Sequence, residues 1–494
     1  MGYIVLALSA LAAWFFWVAS GYIVPGGSWG FFIWANTIGT DATLNPGFAQ
    51  RDVGFPLLIW LTSLGQSGKI ANVAALWAVM AFLMPPLVWA ALKRFSPSVA
   101  LLCALAAMLS GGPYLFIKMM YPDQAGVFFM VLMLVCLIRF FQTPGWLWLV
   151  LFSAVAITDS LMRPAMNLVF PVLLLLAVLV QPRYRLAGGC CFAAFVVAML
   201  GYGQYRAKVL DVAHLGYTPS YTGEQVFYNA YINSEDYGVV INPAMGPAVT
   251  EVIDRLTAAL QPSPANNALI AELATVEPPE FTKFHLMLPT TVELTQRIWA
   301  RPNYEYMQLI DRAAPDMLLL RAAAEIAWAE PVYVASYTLR NMALFLALPG
   351  FSHTRYNVAG FVYSGRNFYP AGEDLTEIDR FPEDSQAEAR VPRPYREILK
   401  AVALAWHYTY WPFIFGSTAL MVAGLLVVFA APMLFSRAFI ASFLAAVLLL
   451  LYNAAIVGAF ADPDFRYEGM VLVVRAIIAG FGLVAIKPRW SRVS

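Results

Sequence analysis

Charge is what this sequence has least of. Of its 494 residues only 12% are Asp, Glu, Lys or Arg, whereas 60% are hydrophobic. A water-soluble domain carries roughly 25% charged residues, so water is not the only solvent this chain is built for. The net charge of +1 gives no basis for a nucleic-acid partner. Cysteine is scarce as well: Cys103, Cys136, Cys190 and Cys191 all lie inside apolar runs. They read as small buried hydrophobes, with no disulfide or zinc site expected from them. His214, His285, His353 and His407 are far apart and lack the close His/Cys spacings of zinc sites. No basic residue precedes the first apolar run, 3–24, so it reads as a retained membrane anchor rather than a cleaved signal. Nor is there a repeat of fixed period or an inverted pair of hydropathy blocks, which many secondary transporters would show.

What the sequence does have is apolar length. A bilayer core takes about 20 apolar residues as helix. Runs of that kind, some of them short, occur at 3–24, 69–92, 97–113, 124–141, 145–160, 166–181, 187–205, 406–434, 438–460 and 469–486. The expected fold is mainly α: a polytopic membrane helix bundle of ten spans, within a range of nine to twelve. Two further stretches, 54–64 and 333–348, are too short or too polar to cross and are expected at the interface as amphipathic helices.

Basic residues set the orientation. With the N-terminus in the cytoplasm, the inner segments carry Lys93, Arg94, Arg139, Arg183, Arg185, Arg437, Lys487, Arg489 and Arg492, and no Asp or Glu. Every short inner loop then obeys the positive-inside rule. The expected location is the bacterial inner membrane, with both termini cytoplasmic and the active side facing out. Three parts follow: a module of seven spans over 1–205 with an outer loop at 25–68, an extracytoplasmic segment of mixed or helical structure over 206–405, and three spans over 406–494. Within the middle part, 248–260 has helical apolar spacing, and 365–396 reads as an exposed loop.

Four outward-facing stretches carry groups capable of chemistry. Residues 41–56 place Asp41, Arg51 and Asp52 ahead of an apolar interfacial segment. A carboxylate held there can act as general base on an acceptor hydroxyl or amine; local pairing of Arg51 with Asp52 is the competing reading. In Tyr121-Pro-Asp-Gln, Asp123 stands at the outer start of a span, where helix N-capping alone would explain it. Asp159 and Arg163 are four apart, the spacing of a helical ion pair, with Pro164 marking a break. The last outer loop leads through Arg466, Tyr467 and Glu468 to Arg475, which lies roughly 10 Å further along the helix. A charge inside a span costs about 2.5–3.5 kcal/mol and usually faces a cavity or a partner. Arg475 therefore either pairs with Glu468 or, with Arg466, holds a lipid phosphate or diphosphate through its guanidinium fork. The outer segments are also rich in aromatic residues: Trp29, Tyr217, Tyr221, Tyr228, Tyr231, Tyr237, Tyr304, Tyr306, Tyr363 and Tyr369. They suit an interfacial belt or stacking on sugar rings.

This layout resembles the GT-C class of membrane glycosyltransferases over most of the chain, with matching motifs in patches. In that class a first span leads to an outer loop with an acidic residue, then to an interfacial segment opening on an Arg–x–Pro–Gly–Tyr–Pro-like motif. Arg51-Asp52-Val53-Gly54-Phe55-Pro56 is similar to it, with Val53 for the Pro and Phe55 for the Tyr. Arg466-Tyr467 resembles the Arg-Tyr pair that precedes the last spans of many members. One departure is that Gly27 stands where many members carry the Asp thought to be the catalytic base. The resemblance implies a sugar donor on a polyprenyl phosphate and a glycan, lipid or protein acceptor, with membrane lipids as surroundings. By that analogy Asp52 or Asp41 is the base, Arg466 and Arg475 bind the lipid phosphate, and Arg163 and Lys118 assist. No cofactor is called for by the residues; some members use a divalent metal, and no dedicated metal site is legible. Rival readings are a lipid-linked glycan polymerase or ligase, a lipid or glycan transporter, and a non-catalytic envelope scaffold.

Overall fold

The computed structural model describes residues 1–19, 53–62, 70–114, 122–162, 169–210, 237–259, 316–347, 393–460 and 465–487, with isolated positions at 31–38, 117 and 223–234. Among them the elements are helices, and no strand occurs. Two compact units are present. One comprises Met1–Thr218, Leu346–Asn453 and Asp464–Ser494; the other comprises Pro219–Phe345 and Ala454–Pro463. The first and last thirds of the sequence thus share one unit.

Each apolar run of the sequence carries a helix: Gly2–Ala19, Ile70–Leu92, Pro97–Leu109, Asp123–Gln142, Trp146–Met162, Val169–Val180, Arg185–Leu210, Arg393–Ala430, Arg437–Phe460 and Phe465–Ile486. In hydrocarbon a backbone must satisfy its own polar groups, and a helix does so within one segment. Among the described residues five stretches are long and apolar enough to cross a membrane: Asn72–Leu92, Asp123–Gln142, Pro182–Tyr205, Pro412–Ala430 and Arg437–Ala459. They mark a helical membrane protein.

The tight turns have local causes. Ser96 caps the Pro97–Leu109 helix by accepting from Val99 N–H at 3.3 Å, with Pro97 in the first helical position. Tyr184 Oη donates to the Pro144 carbonyl at 2.8 Å, tying the turn at 143–145 to the one at 182–184. Gln142 Nε2 donates to the Ala91 carbonyl at 3.2 Å, closing the end of the neighbouring helix. Helices 393–430 and 465–486 cross at glycines: a Cβ on Gly424 would lie 2.8 Å from Gly482 Cα. Small residues at such crossings let backbones approach where apolar burial gives helices no preference over lipid.

Three expectations need correction. The Arg393–Ala430 helix starts well before 406, so the expected loop at 365–396 ends as helix from Arg393 onward. Its charged first turns escape a hydropathy window but keep good helix formers such as Leu, Lys and Ala. Cys190 is exposed while Cys191 is buried, because adjacent helical residues point in different directions and only one can face inward. The third is at Asp123, where Pro122 holds the cap position instead. The segment 54–64 does form a helix, Gly54–Thr62, as does 333–348, over Pro331–Ala347.

The smaller unit is built around helices Pro247–Ala259, Asp316–Ala329 and Pro331–Ala347. Val249, Val252 and Ile253 on the first and Leu319, Ala323 and Ile326 on the second recur at helical spacing and meet in one core. The Glu325 carboxylate accepts from Ala248 N–H at 3.1 Å and Val249 N–H at 2.9 Å. An anion there complements the positive end of the 247–259 helix. Tyr237 sits edge-on to Tyr333 at 5.5 Å, so this outer aromatic belongs to a protein core. The other nine aromatic residues named above lie outside the described residues.

Candidate functional site

The larger unit encloses polar side chains that an apolar bundle does not need for packing. Asp123 is 1% exposed, Asp159 0% and Arg475 1%. Gln124 and Ser160 beside them are fully buried too. Asp123 and Asp159 belong to two successive helices, 123–142 and 146–162, which form a closely packed hairpin.

Asp123 was expected as an N-cap, but the structure sets it one residue inside the helix. Pro122 holds the cap position, and its carbonyl accepts from Gly126 N–H at 2.9 Å. The pyrrolidine ring presets φ, here −69°, so the chain is already turning when it reaches Asp123. In the first turn a carboxylate still gains from the helix dipole. At the other arm of the hairpin, Asp159 and Ser160 occupy the last turn of a helix that ends at Met162, just ahead of Pro164. The residue before a proline is biased away from helix, which fixes that end.

Against this end packs the first turn of the Gly54–Thr62 helix. A Cβ on Gly54 would lie 2.7 Å from Leu161 C and O and from Met162 N. These are backbone atoms that cannot step aside, so glycine is required. Val53 N–H donates to Tyr202 Oη at 2.9 Å, and Phe55 stacks on Trp77 with centroids 5.7 Å apart. Phe31, Ile59, Ala125 and Met162 complete the apolar cluster. The second half of the Arg-Asp-Val-Gly-Phe-Pro stretch is thereby seated against the end of the helix that carries Asp159.

The third component is the middle of the Phe465–Ile486 helix, which packs on helices 97–109 and 123–142. Gly112 sits directly on it, since a Cβ there would lie 2.9 Å from Leu472 Cβ. One turn further on, Arg475 Nη1 donates to Thr418 Oγ1 at 3.0 Å and Nη2 donates to the Leu346 carbonyl at 2.9 Å. Thr418 Oγ1 also donates to that carbonyl at 3.0 Å. The guanidinium fork is held by two neutral oxygens, one of them a carbonyl at a helix end that has no donor within its own helix.

Of the sequence-derived candidates, Asp123, Asp159 and Arg475 are therefore placed and buried. Asp41, Arg51, Asp52, Lys118 and Arg163 lie outside the described residues. Arg466, Tyr467 and Glu468 lie in the first turn of the helix that carries Arg475. Sequence reasoning passed over Gln124, Ser160, Tyr202 and Thr418. For the first two the signal was a second polar residue directly after a singled-out Asp; Thr418 was one polar residue in an apolar run. Among the described residues no group of three His, Cys, Asp or Glu side chains could hold a metal ion. No protein-family model matches this chain, and no curated protein does either.

Proposed function

We propose that this protein is an integral membrane glycosyltransferase. It moves a sugar from a polyprenyl-phosphate donor to a glycan, lipid or protein acceptor on the extracytoplasmic face of a bacterial inner membrane. In this reading the chain crosses about ten times, the number of apolar helices among the described residues, and both termini are cytoplasmic. The observation that supports it most is the burial of two carboxylates and a guanidinium in one apolar unit, which also holds a glycine-locked turn directly after Arg51-Asp52 in the sequence. Charges inside a membrane bundle are expensive and are retained mainly where they serve function.

The reaction needs few groups. The acceptor hydroxyl oxygen attacks the anomeric carbon as its proton passes to a carboxylate, Asp52 or Asp41. The bond from the anomeric carbon to the phosphate oxygen breaks, and the electron pair leaves with the polyprenyl phosphate, inverting the centre. Arg466 and Arg475, with Arg163 or Lys118 assisting, offset the negative charge that grows on the leaving phosphate. A lipid-linked glycan polymerase or ligase would use the same groups. Transport of a lipid or glycan would need polar groups within the spans, and the one observation that favours it is the burial of Arg475 in mid-helix.

The test is transfer of radiolabelled sugar from purified polyprenyl-phosphate donors in proteoliposomes. Wild type is compared with Asp52→Asn, Asp41→Asn and Arg475→Ala, each checked for folding. One Asp variant should lose about 10²- to 10⁴-fold in turnover, the usual contribution of a general base. No turnover from any donor, with lipid binding unchanged across all variants, would turn the assignment to transport or scaffolding.

A further inference from the structure

Gln124 is the second residue of the Asp123–Gln142 helix and has no exposed surface. Its Nε2 donates to the Pro113 carbonyl at 2.9 Å and reaches the Trp77 carbonyl at 3.5 Å. These two carbonyls fix which way round the amide lies, because the flipped form would turn Oε1 toward two other acceptors. Oε1 thus faces away from them, and among the described residues no donor reaches it. A buried acceptor in that state carries a desolvation cost that no described contact offsets.

Its surroundings narrow what the missing donor is. The helix begins here, and Pro122 at the cap position has no side-chain acceptor for the first-turn N–H groups. Asp123 brings a carboxylate to the same turn, also buried. A phosphate supplies only acceptors at neutral pH, and would meet both Oε1 and a carboxylate. A cation would meet the positive end of the helix dipole. A hydroxyl fits both kinds of partner, since it donates to Oε1 while its lone pairs accept from N–H groups. A ring bearing several hydroxyls fits best.

We propose that Gln124 Oε1 accepts a hydrogen bond from a hydroxyl of the donor's sugar, so that the start of this helix reads the sugar. This rests on the glycosyltransferase reading and adds to it a residue for sugar specificity, distinct from those assigned to the phosphate. A site built to bond a hydroxyl discriminates strongly against ligands that lack it, because its buried polar group is then left unsatisfied.

The full chain in nanodiscs provides the test. Binding of bare polyprenyl phosphate is compared with binding of the same lipid bearing glucose, mannose or arabinose, for wild type, Gln124→Met and Gln124→Leu. Both variants remove the acceptor at similar volume, so the proposal survives the failure of either one to fold. Wild type should prefer at least one sugar-bearing lipid by about tenfold, the scale of one hydrogen bond. The variants should lose that preference and keep their affinity for the bare lipid. A preference that persists in a folded variant assigns Oε1 to a trapped water and overturns the proposal alone. Wild type that binds the bare lipid without preferring any sugar-bearing one also overturns it alone. Wild type that binds none of the lipids overturns the transferase reading and the proposal together.

Discussion

The two units of this protein differ in which charged groups they bury. In the larger one, Leu109, Leu179, Leu186, Val197, Leu426 and Phe429 are exposed, while Asp123, Gln124, Asp159, Ser160 and Arg475 lie inside. In the smaller one, Val249, Val252, Ile253, Leu319 and Ile326 are inside, and Glu251 and Arg255 form an ion pair on the surface. Lipid tails are as apolar as leucine, so outward leucines cost nothing there, and helices are held by close backbone approach and by polar contacts. In the smaller unit an apolar core does that work, and charge at helix ends is an accessory. A charge therefore means different things in each unit: buried Asp123, Asp159 and Arg475 are ligand-handling candidates in the first, and half-buried Glu325 is a helix cap in the second.

Three substitutions and one control sharpen this contrast, in falling order of effect. A Cβ on Gly482 would overlap the Leu420 carbonyl oxygen and lie 2.7 Å from its carbon. Gly482→Val should therefore destabilise the larger unit by about 3 kcal/mol or more, read as a lower melting temperature in detergent. Gly189 is the control: a Cβ there would meet no atom within 4 Å, and Gly189→Ala should be neutral or stabilising by up to about 1 kcal/mol. Equal effects from the two would mean that backbone approach is not what holds these helices. Next, Glu325→Gln removes the charge from the cap of the 247–259 helix and should cost about 1–2 kcal/mol. Hydrogen exchange should quicken at Ala248 and Val249, the amides it now holds, and stay unchanged in the larger unit. Smallest of all, Arg255→Ala breaks a 2.6 Å pair whose side chains are 45% and 50% exposed. Water screens such pairs, so the loss should stay below about 0.5 kcal/mol by thermal unfolding. A larger loss would show that the surface of this unit is not simply solvated.

The helical elements were legible because apolar length is written locally. The run at 438–460 becomes Arg437–Phe460, 166–181 becomes Val169–Val180, and the helical spacing at 248–260 becomes Pro247–Ala259. The start of the 393–430 helix was missed because Arg393 to Lys400 is charged, and hydropathy does not see a helix that polar residues begin. The candidate site was legible only in part. Asp123, Asp159 and Arg475 stood out as charges in or beside apolar runs, which needs no neighbour to recognise. The partners did not: Arg475 meets an oxygen 57 residues away in Thr418 and another 129 away in Leu346.

The sequence by itself determined the solvent, the helices and the residues whose charge is out of place, since each depends on composition within a few turns. Only the tertiary structure decided that Gly54 must be glycine, that Pro122 and not Asp123 caps its helix, and that Gln124 carries a buried acceptor. Those depend on which backbone passes within a few ångströms of another, and a linear pattern of hydrophobicity holds no record of that distance.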